Sequence, residues 1–351
     1  MARALELAWR GWGRVQPNPL VGAVVLQKGE LVGEGWHAEF GNRHAETVAI
    51  EQAGGRARGA TMVVTLEPCS HEGKQPACTP AIVRSGIRRV VAALADPNPV
   101  AAGGGEQLRT AGIEFELAMA SEAAAAQNAI FLHRFRDPGR PYVALKLATT
   151  INGRIADRFG RSRWISGEEA RDYVQWLRAG FDAIAVGGRT ARFDDPSLTV
   201  RGPVRPRIPP RRIVFDRAAD LSPQLTLVRT ASETPTTAVI APGADPARLK
   251  RLEAVGVTIV QGDRLGDALV SLRQLGVESL LVEGGGQLAG AFLAAGLVDR
   301  YYWLQAPVWL GDDAVPAFAG LPPPELDQGE RWRVTERRAL GEDTLLVLDR
   351  G

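Results

Sequence analysis

Cysteine is scarce: Cys69 and Cys78 are the only two in 351 residues. Two cysteines cannot form the disulfide framework of a small secreted domain. They bridge each other, lie apart as buried thiols, or serve as metal ligands or catalytic groups, the commoner use in an intracellular enzyme. Lysine is scarce too, since only Lys28, Lys74, Lys146 and Lys250 stand among 42 basic residues. Excess charge is missing as well, because 42 Lys+Arg against 40 Asp+Glu leave +2. That balance gives no reason to expect a nucleic-acid or membrane partner. No apolar run approaches the ~20 residues of a membrane span. The N-terminus, Met-Ala-Arg-Ala-Leu-Glu-Leu-Ala-Trp, reads as an amphipathic helix. It lacks the apolar stretch and cleavage site of a signal peptide, so the cytoplasm is the expected location. No internal repeat or low-complexity tract is visible.

What is present is ordinary in bulk. Hydrophobic residues make up 45% and charged residues 23%, as in soluble globular proteins. At roughly 150 residues per domain, this length predicts two domains. In the first part, helical patterns at 2–12 and 44–53 alternate with strand patterns at 21–25, 31–36, 61–66 and 88–94. Such alternation means an α/β layered domain. Asp137-Pro138-Gly139-Arg140-Pro141 concentrates turn residues where the pattern restarts. The expected domains are therefore 1–138 and 141–351. The second half has strand patterns at 142–148, 183–186, 212–216, 236–240, 257–261 and 279–282. Ser166 and Glu169 read as a capping box opening a helix, and residues 192–201 as a loop turning at Asp194-Asp195-Pro196.

His44-Ala45-Glu46, Pro68-Cys69 and Cys78 form the most informative constellation. One imidazole and two thiols suit zinc, and a catalytic zinc keeps one position open for water. In zinc deaminases a glutamate two residues past the ligand histidine moves protons without binding the metal. Glu46 has that place. Those enzymes usually have two residues between their cysteines. Here residues 70–77 intervene, bringing His71, Gly73, Lys74 and Pro76. A disulfide, or two unrelated buried thiols, remains open on spacing alone.

A second constellation is weaker. The strand pattern at 279–282 runs into Glu283-Gly284-Gly285-Gly286 and then a helical pattern. Backbone N–H groups at such a turn can meet phosphate, although a turn that only packs helix on sheet reads the same way. Arg178 and Arg201, taken alone, read as solvated surface.

The chain resembles the bifunctional riboflavin-biosynthesis deaminase–reductase family along nearly its whole length. In the first domain the resemblance is carried by "ARALELA", "PNPLVGAVV", "GEGWH", "HAE", "TLEPCSHEGKQPAC" and "DPNP". In the second it is carried by "KLATTINGRIA", "WISGEEAR", "DDPSLTVR" and "VEGGGQLAGAFL". The long cysteine loop separates this family from cytidine and transfer-RNA adenosine deaminases. The resemblance implies a cytidine-deaminase-like three-layer α/β domain followed by a dihydrofolate-reductase-like α/β domain. It implies zinc-dependent hydrolytic deamination of 2,5-diamino-6-ribosylamino-4(3H)-pyrimidinone 5′-phosphate. NADPH-dependent reduction of the ribosyl to a ribityl chain follows.

By position, the resemblance implies zinc on His44, Cys69 and Cys78, with Glu46 catalytic. Asn18 and His37 resemble contacts to the pyrimidine; His71 and Lys74 resemble contacts to its sugar phosphate, which needs cationic donors. Ala148, Trp164, Thr190, Asp194, Gly284, Gly285 and Gly286 resemble NADP-binding positions. Lys146, Ser162, Arg178, Leu198, Arg201 and Glu283 resemble reductase substrate positions. The implied partner is a small phosphorylated pyrimidine, and self-association is expected. One departure is Asn152-Gly153, where the family often has Asp-Gly. Asn keeps the turn geometry but removes a charge, which would weaken the reductase if that carboxylate takes part.

Overall fold

Lys28 and Gly29 both adopt positive φ, 50° and 87°. Two such residues close a hairpin whose twist matches its strands, here β1 (Gly22–Gln27) and β2 (Glu30–Trp36). β3 (Thr61–Val64) pairs antiparallel with β1, and β4 (Arg89–Ala92) and β5 (Glu114–Leu117) continue in parallel. The sheet order is β2-β1-β3-β4-β5. Side chains alternate across the sheet. Val24, Val63 and Trp36 pack with helix α1 (Ala2–Ala8). Ala23, Val25, Met62 and Val64 join a core with α2 (Ala45–Ala53) and α3 (Cys78–Ser85). The result is three layers, α/β/α. Two glycines set the spacing of α2. A Cβ on Gly33 would stand 2.2 Å from the Ala49 carbonyl oxygen, and one on Gly35 would stand 2.4 Å from that of Ala45. Only glycine lets the helix lie this close to β2, and that fixes its first turn over the sheet.

These elements belong to a unit spanning Met1–Asp137; a second spans Pro138–Gly351. The computed structural model describes residues 1–117, 122–163, 165–321 and 329–350. Among them no helix is long and apolar enough to cross a membrane.

The second unit is built on β6 (Tyr142–Thr150), β8 (Ala183–Gly187), β9 (Arg211–Phe215), β10 (Thr236–Ile240), β11 (Thr258–Gln261), β12 (Ser279–Glu283) and β13 (Arg300–Ala306). These seven run parallel, and β16 (Asp343–Arg350) and β15 (Trp332–Leu340) add antiparallel pairs. The order is β11-β10-β9-β8-β12-β6-β13-β16-β15; β7 (Arg154–Ala156) and β14 (Val315–Pro316) form a separate ribbon. β10 and β12 are buried at every residue, as strands covered on both faces must be. Both halves are thus α/β, as the sequence predicts.

Two local expectations fail. The helix Glu168–Ala179 is capped at Gly167, without a side-chain cap, and not at Ser166. Asp343 accepts from the Gly167 N–H at 2.7 Å, so a residue of β16 replaces the local capping box. Residues 192–194 are not loop but the end of a helix, Gly188–Asp194. Asp195, at φ 41°, terminates it, so the turn signal belongs one residue later.

Candidate active sites

Three elements of the first unit converge on one point. His44 is the residue preceding α2, Glu46 lies in its first turn, Cys69 follows β3, and Cys78 opens α3. His44 Nδ1 stands 3.2 Å from Cys78 Sγ and 3.5 Å from Cys69 Sγ. All three ligand atoms lie within 4.8 Å of one another, and both cysteines are free. The disulfide reading is therefore excluded. The Cys78 thiol, by hydrogen bonding to Cys69, holds the latter down to about 4 against the effect of burial. The same bond and burial push Cys78 up. His44 is raised by its bond to Cys69, with burial opposing. Two cysteine sulfurs and an imidazole nitrogen held this close are a ligand set for a borderline-soft cation, and sulfur–nitrogen donors suit zinc.

Glu46 supplies the second part of this fit. It is 4% exposed, and its Oε2 has no hydrogen-bond partner. Burial pushes its carboxyl upward. A buried oxygen without a partner costs about 1–3 kcal/mol, and a water beside the three ligands would satisfy it.

His37 and Asn18 extend the site. His37 Nδ1 lies 3.2 Å from the Arg43 carbonyl, which can only accept, so that nitrogen carries the proton. Nε2 then accepts from the Asn18 amide at 3.1 Å. Burial lowers the His37 pKa, with the Arg43 bond opposing, and that favours the neutral ring. The ring meets His44 edge to face, with centroids 5.5 Å apart. Asn128 holds the Asn18 loop: its side chain accepts from Leu20 N at 2.8 Å and donates to Leu20 O at 3.0 Å. Across 108 residues, no local sequence signal marks that role.

The long cysteine loop lies against residues 39–43. Gln75 donates to the Gly41 carbonyl at 2.7 Å, and Lys74 Nζ sits 4.2 Å from the centre of the Phe40 ring. His71 Nδ1 is buried without a partner. The loop thus offers a ligand the Lys74 ammonium, which rests on an aromatic face, and an imidazole nitrogen of His71 that has no hydrogen-bond partner.

The second unit has a cleft of about 1310 Å³ at the carboxyl ends of its parallel strands, where such sheets bind ligands. Its wall includes Ala148, Thr190, Asp194, Gly284, Gly285 and Gly286 of the predicted cofactor set. It also includes Lys146, Ser162, Arg178, Leu198, Arg201 and Glu283 of the predicted substrate set. Trp164 lies outside the described residues.

Lys146 and Glu283 are register partners on β6 and β12. Arg178 grips both Glu283 oxygens, at 2.6 and 2.8 Å, and Lys146 Nζ stands 3.7 Å away. Burial alone would raise the Glu283 carboxyl, but the two cations outweigh it and hold it at about 2. Burial lowers the Lys146 pKa, with Glu283 opposing.

Gly285 precedes the helix Gly286–Ala294. A Cβ there would lie 3.3 Å from the Thr190 hydroxyl, and one on Gly286 would lie 2.4 Å from the Pro316 carbonyl oxygen. The turn therefore presents bare backbone to the cleft, as a phosphate cradle requires. Asn152 is not on the wall. Its amide donates to Leu310 O at 2.7 Å and accepts from Leu310 N at 3.3 Å. A carboxylate could not make the first of these bonds. Sequence reasoning missed Asp216, Arg217 and Arg264, which also line the cleft. Their place at or just beyond the ends of parallel strands is the signal that could have found them.

Comparison with known proteins covers both units. Residues 141–346 match the family model for the RibD C-terminal domain. Residues 1–94 match that for the cytidine and deoxycytidylate deaminase zinc-binding region. The chain is 42% identical over 323 residues to the riboflavin biosynthesis protein RibD of Bacillus amyloliquefaciens, covering 91% of this chain and 86% of that protein. It is 39% identical to RibD of Aquifex aeolicus, covering 100% and 97%. Among solved structures, a diaminohydroxyphosphoribosylaminopyrimidine deaminase/5-amino-6-(5-phosphoribosylamino)uracil reductase from Thermotoga maritima aligns with TM-score 0.84 and 33% identity. That alignment covers 100% of this chain and 97% of that one.

Proposed function

Because the chain belongs to the RibD family of riboflavin-biosynthesis deaminase–reductases, we propose that its two units divide the two reactions. Residues 1–138 remove a ring amine hydrolytically from 2,5-diamino-6-ribosylamino-4(3H)-pyrimidinone 5′-phosphate. Residues 141–351 then reduce the ribosyl of the product to a ribityl chain. The observation that carries the first assignment is the unpartnered Oε2 of buried Glu46 beside His44, Cys69 and Cys78. Zinc on those three residues supplies Lewis acidity for water, and NADPH in the second unit supplies reducing equivalents.

Glu46 Oε2 holds the proton that must travel from the attacking water to the departing amine. Asn18 and His37 orient the pyrimidine edge, and His71 and Lys74 bind the sugar phosphate. In the second unit Thr190, Asp194, Ala148, Trp164 and the Gly284–Gly286 turn hold the coenzyme. Glu283 keeps Lys146 and Arg178 oriented toward the ribosyl, and Arg201 meets the phosphate, with Ser162 and Leu198 completing the pocket. Asn152 keeps a scaffold role at Leu310. Self-association belongs to the same reading, and sedimentation velocity measures it directly.

Lys74→Ala is expected to raise the deaminase KM about tenfold, the loss of one charge-assisted contact, with kcat little changed. An unchanged KM in steady-state ammonia release would reduce Lys74 to a cation resting on Phe40. The reading as a whole is tested by mass spectrometry of the product from the phosphorylated diaminopyrimidinone. Oxygen should replace the amine without NADPH, and two hydrogens should be added only with it. If neither change occurs in zinc-loaded protein, the substrate assignment is wrong.

A further inference from the structure

The cleft of the second unit has two differently built ends. One is the buried trio Lys146, Arg178 and Glu283. The other lies where β9, β10 and β11 end. Its wall there is apolar, with Val239, Ile240, Leu265 and Ala268, and its rim carries Asp216, Arg217 and Arg264. An apolar floor of this kind suits a flat aromatic ring.

In dinucleotide sites a strand-end carboxylate accepts from the ribose 2′-hydroxyl, whereas a nearby arginine accommodates a 2′-phosphate. Asp216 has the strand-end place, but both its oxygens are engaged. Oδ1 accepts from Arg192 Nη1 at 3.0 Å, and Oδ2 accepts from Asp220 N at 2.5 Å. Its side chain is 5% exposed. Buried, already bonded at both oxygens and neutralised by Arg192, it is poorly placed to accept from a ribose hydroxyl.

The adjoining charges are positive. Arg217 Nη1 donates to the Asp263 carbonyl at 3.0 Å, which carries the guanidinium across the sheet end to the residue before Arg264. The Asp263 carboxylate is 3.9 Å from Arg217 Nη2, but both side chains are more than 70% exposed. Such a solvated pair is weak and leaves the guanidinium available to a dianion. Among the described residues the Arg264 side chain has no partner. Strand spacing fits as well. β9 lies two places from β12 in the sheet, or about 10 Å from the Gly284–Gly286 turn at ~4.8 Å per strand. A dinucleotide with its pyrophosphate at that turn would bring its adenosine ribose to Arg217.

We propose that Arg217 and Arg264 clasp the phosphate on the adenosine ribose of NADPH and thereby set the preference for NADPH over NADH. The inference rests on the NADPH-dependent reading of this unit. Titration calorimetry of the full-length, zinc-loaded protein with NADPH, NADH and 2′-AMP tests it. Both arginines are exposed and no fold contact of the core depends on them, so Arg217→Ala and Arg264→Ala should remain folded.

Each substitution should weaken NADPH and 2′-AMP about tenfold and leave NADH unchanged. Arg217→Lys, which keeps charge but not the planar fork, should fall between. Equal weakening of NADPH and NADH would overturn the proposal, since it would mean a general loss of the cleft. Unchanged NADPH affinity in both variants would overturn it while leaving the reductase reading intact. Failure of the unsubstituted protein to bind either coenzyme would remove both.

Discussion

Glu46→Gln is expected to cut deaminase turnover by about 10²–10⁴-fold, the usual contribution of a positioned acid–base group. Zinc content should be unchanged. The two side chains have nearly the same size, so the α2 packing set by Gly33 and Gly35 is preserved. His44, Cys69 and Cys78 are also untouched, and these hold the metal in the proposed reading. What is lost is a group that can take up a proton and give it back. Burial pushes the Glu46 carboxyl upward, which favours its carrying a proton during part of the cycle. Ammonia release, metal analysis after dialysis, and reduction of separately supplied aminouracil intermediate form the test. Loss of zinc along with deamination would make Glu46 a structural residue. Near-normal ammonia release would sink the proton-transfer role outright. Reduction should proceed at the unsubstituted rate.

The parts of this site that were legible in the sequence are those set at short range. The β1–β2 hairpin follows from the strand patterns at 21–25 and 31–36, since the short connection between them, with Gly29 at positive φ, is local. His44 and Glu46 read as one helix turn because the 44–53 spacing is local. The loop between Cys69 and Cys78 reads as an insertion carrying His71 and Lys74, because spacing along the chain alone marks it. The unread parts depend on tertiary partners. Asn128 reaches Leu20 across 108 residues, and Asp343 caps the helix at Gly167 across 176. In the latter case the Ser166–Glu169 pattern was a valid local signal overruled by a buried carboxylate from another strand. Asn152 reads in sequence as a missing charge, yet its amide makes a two-way bond to Leu310. The Arg217–Arg264 rim joins the end of β9 to the residues beyond β11, which only the sheet order brings together.

The two sites treat a buried carboxylate in opposite ways. Glu46 lacks a partner at one oxygen and is raised by burial. Glu283 is gripped by two cations and held at about 2. An unsatisfied carboxylate can exchange a proton, whereas a saturated one stays charged and fixes its neighbours. Glu283→Gln should therefore behave unlike Glu46→Gln. It removes the counter-charge of Arg178 and Lys146, whose side chains are 12% and 15% exposed. Breaking such a pair from one side costs about 3–5 kcal/mol. The same two cations hold the Glu283 carboxyl well below the usual carboxylate range, so the charged form is the one the fold stabilises.

The expected result is a reductase unit destabilised by that amount and inactive in reduction, with deamination intact. Hydrogen exchange read by mass spectrometry separates the units. Peptides of β6, β12 and the helix Glu168–Ala179 should exchange faster, and those of residues 1–117 should not. The pH dependence gives a second signature. The folded-state pKa of Glu283 is depressed, so its stabilisation is complete above about 4.5 and is lost as pH falls toward 2. The stability difference between the two proteins should therefore be largest near neutrality and vanish in acid. A variant within about 0.5 kcal/mol of the parent at neutral pH would be typical of a surface substitution. It would mean that desolvation cancels what the three charges gain by meeting, and that Glu283 orients Lys146 and Arg178 without stabilising the fold.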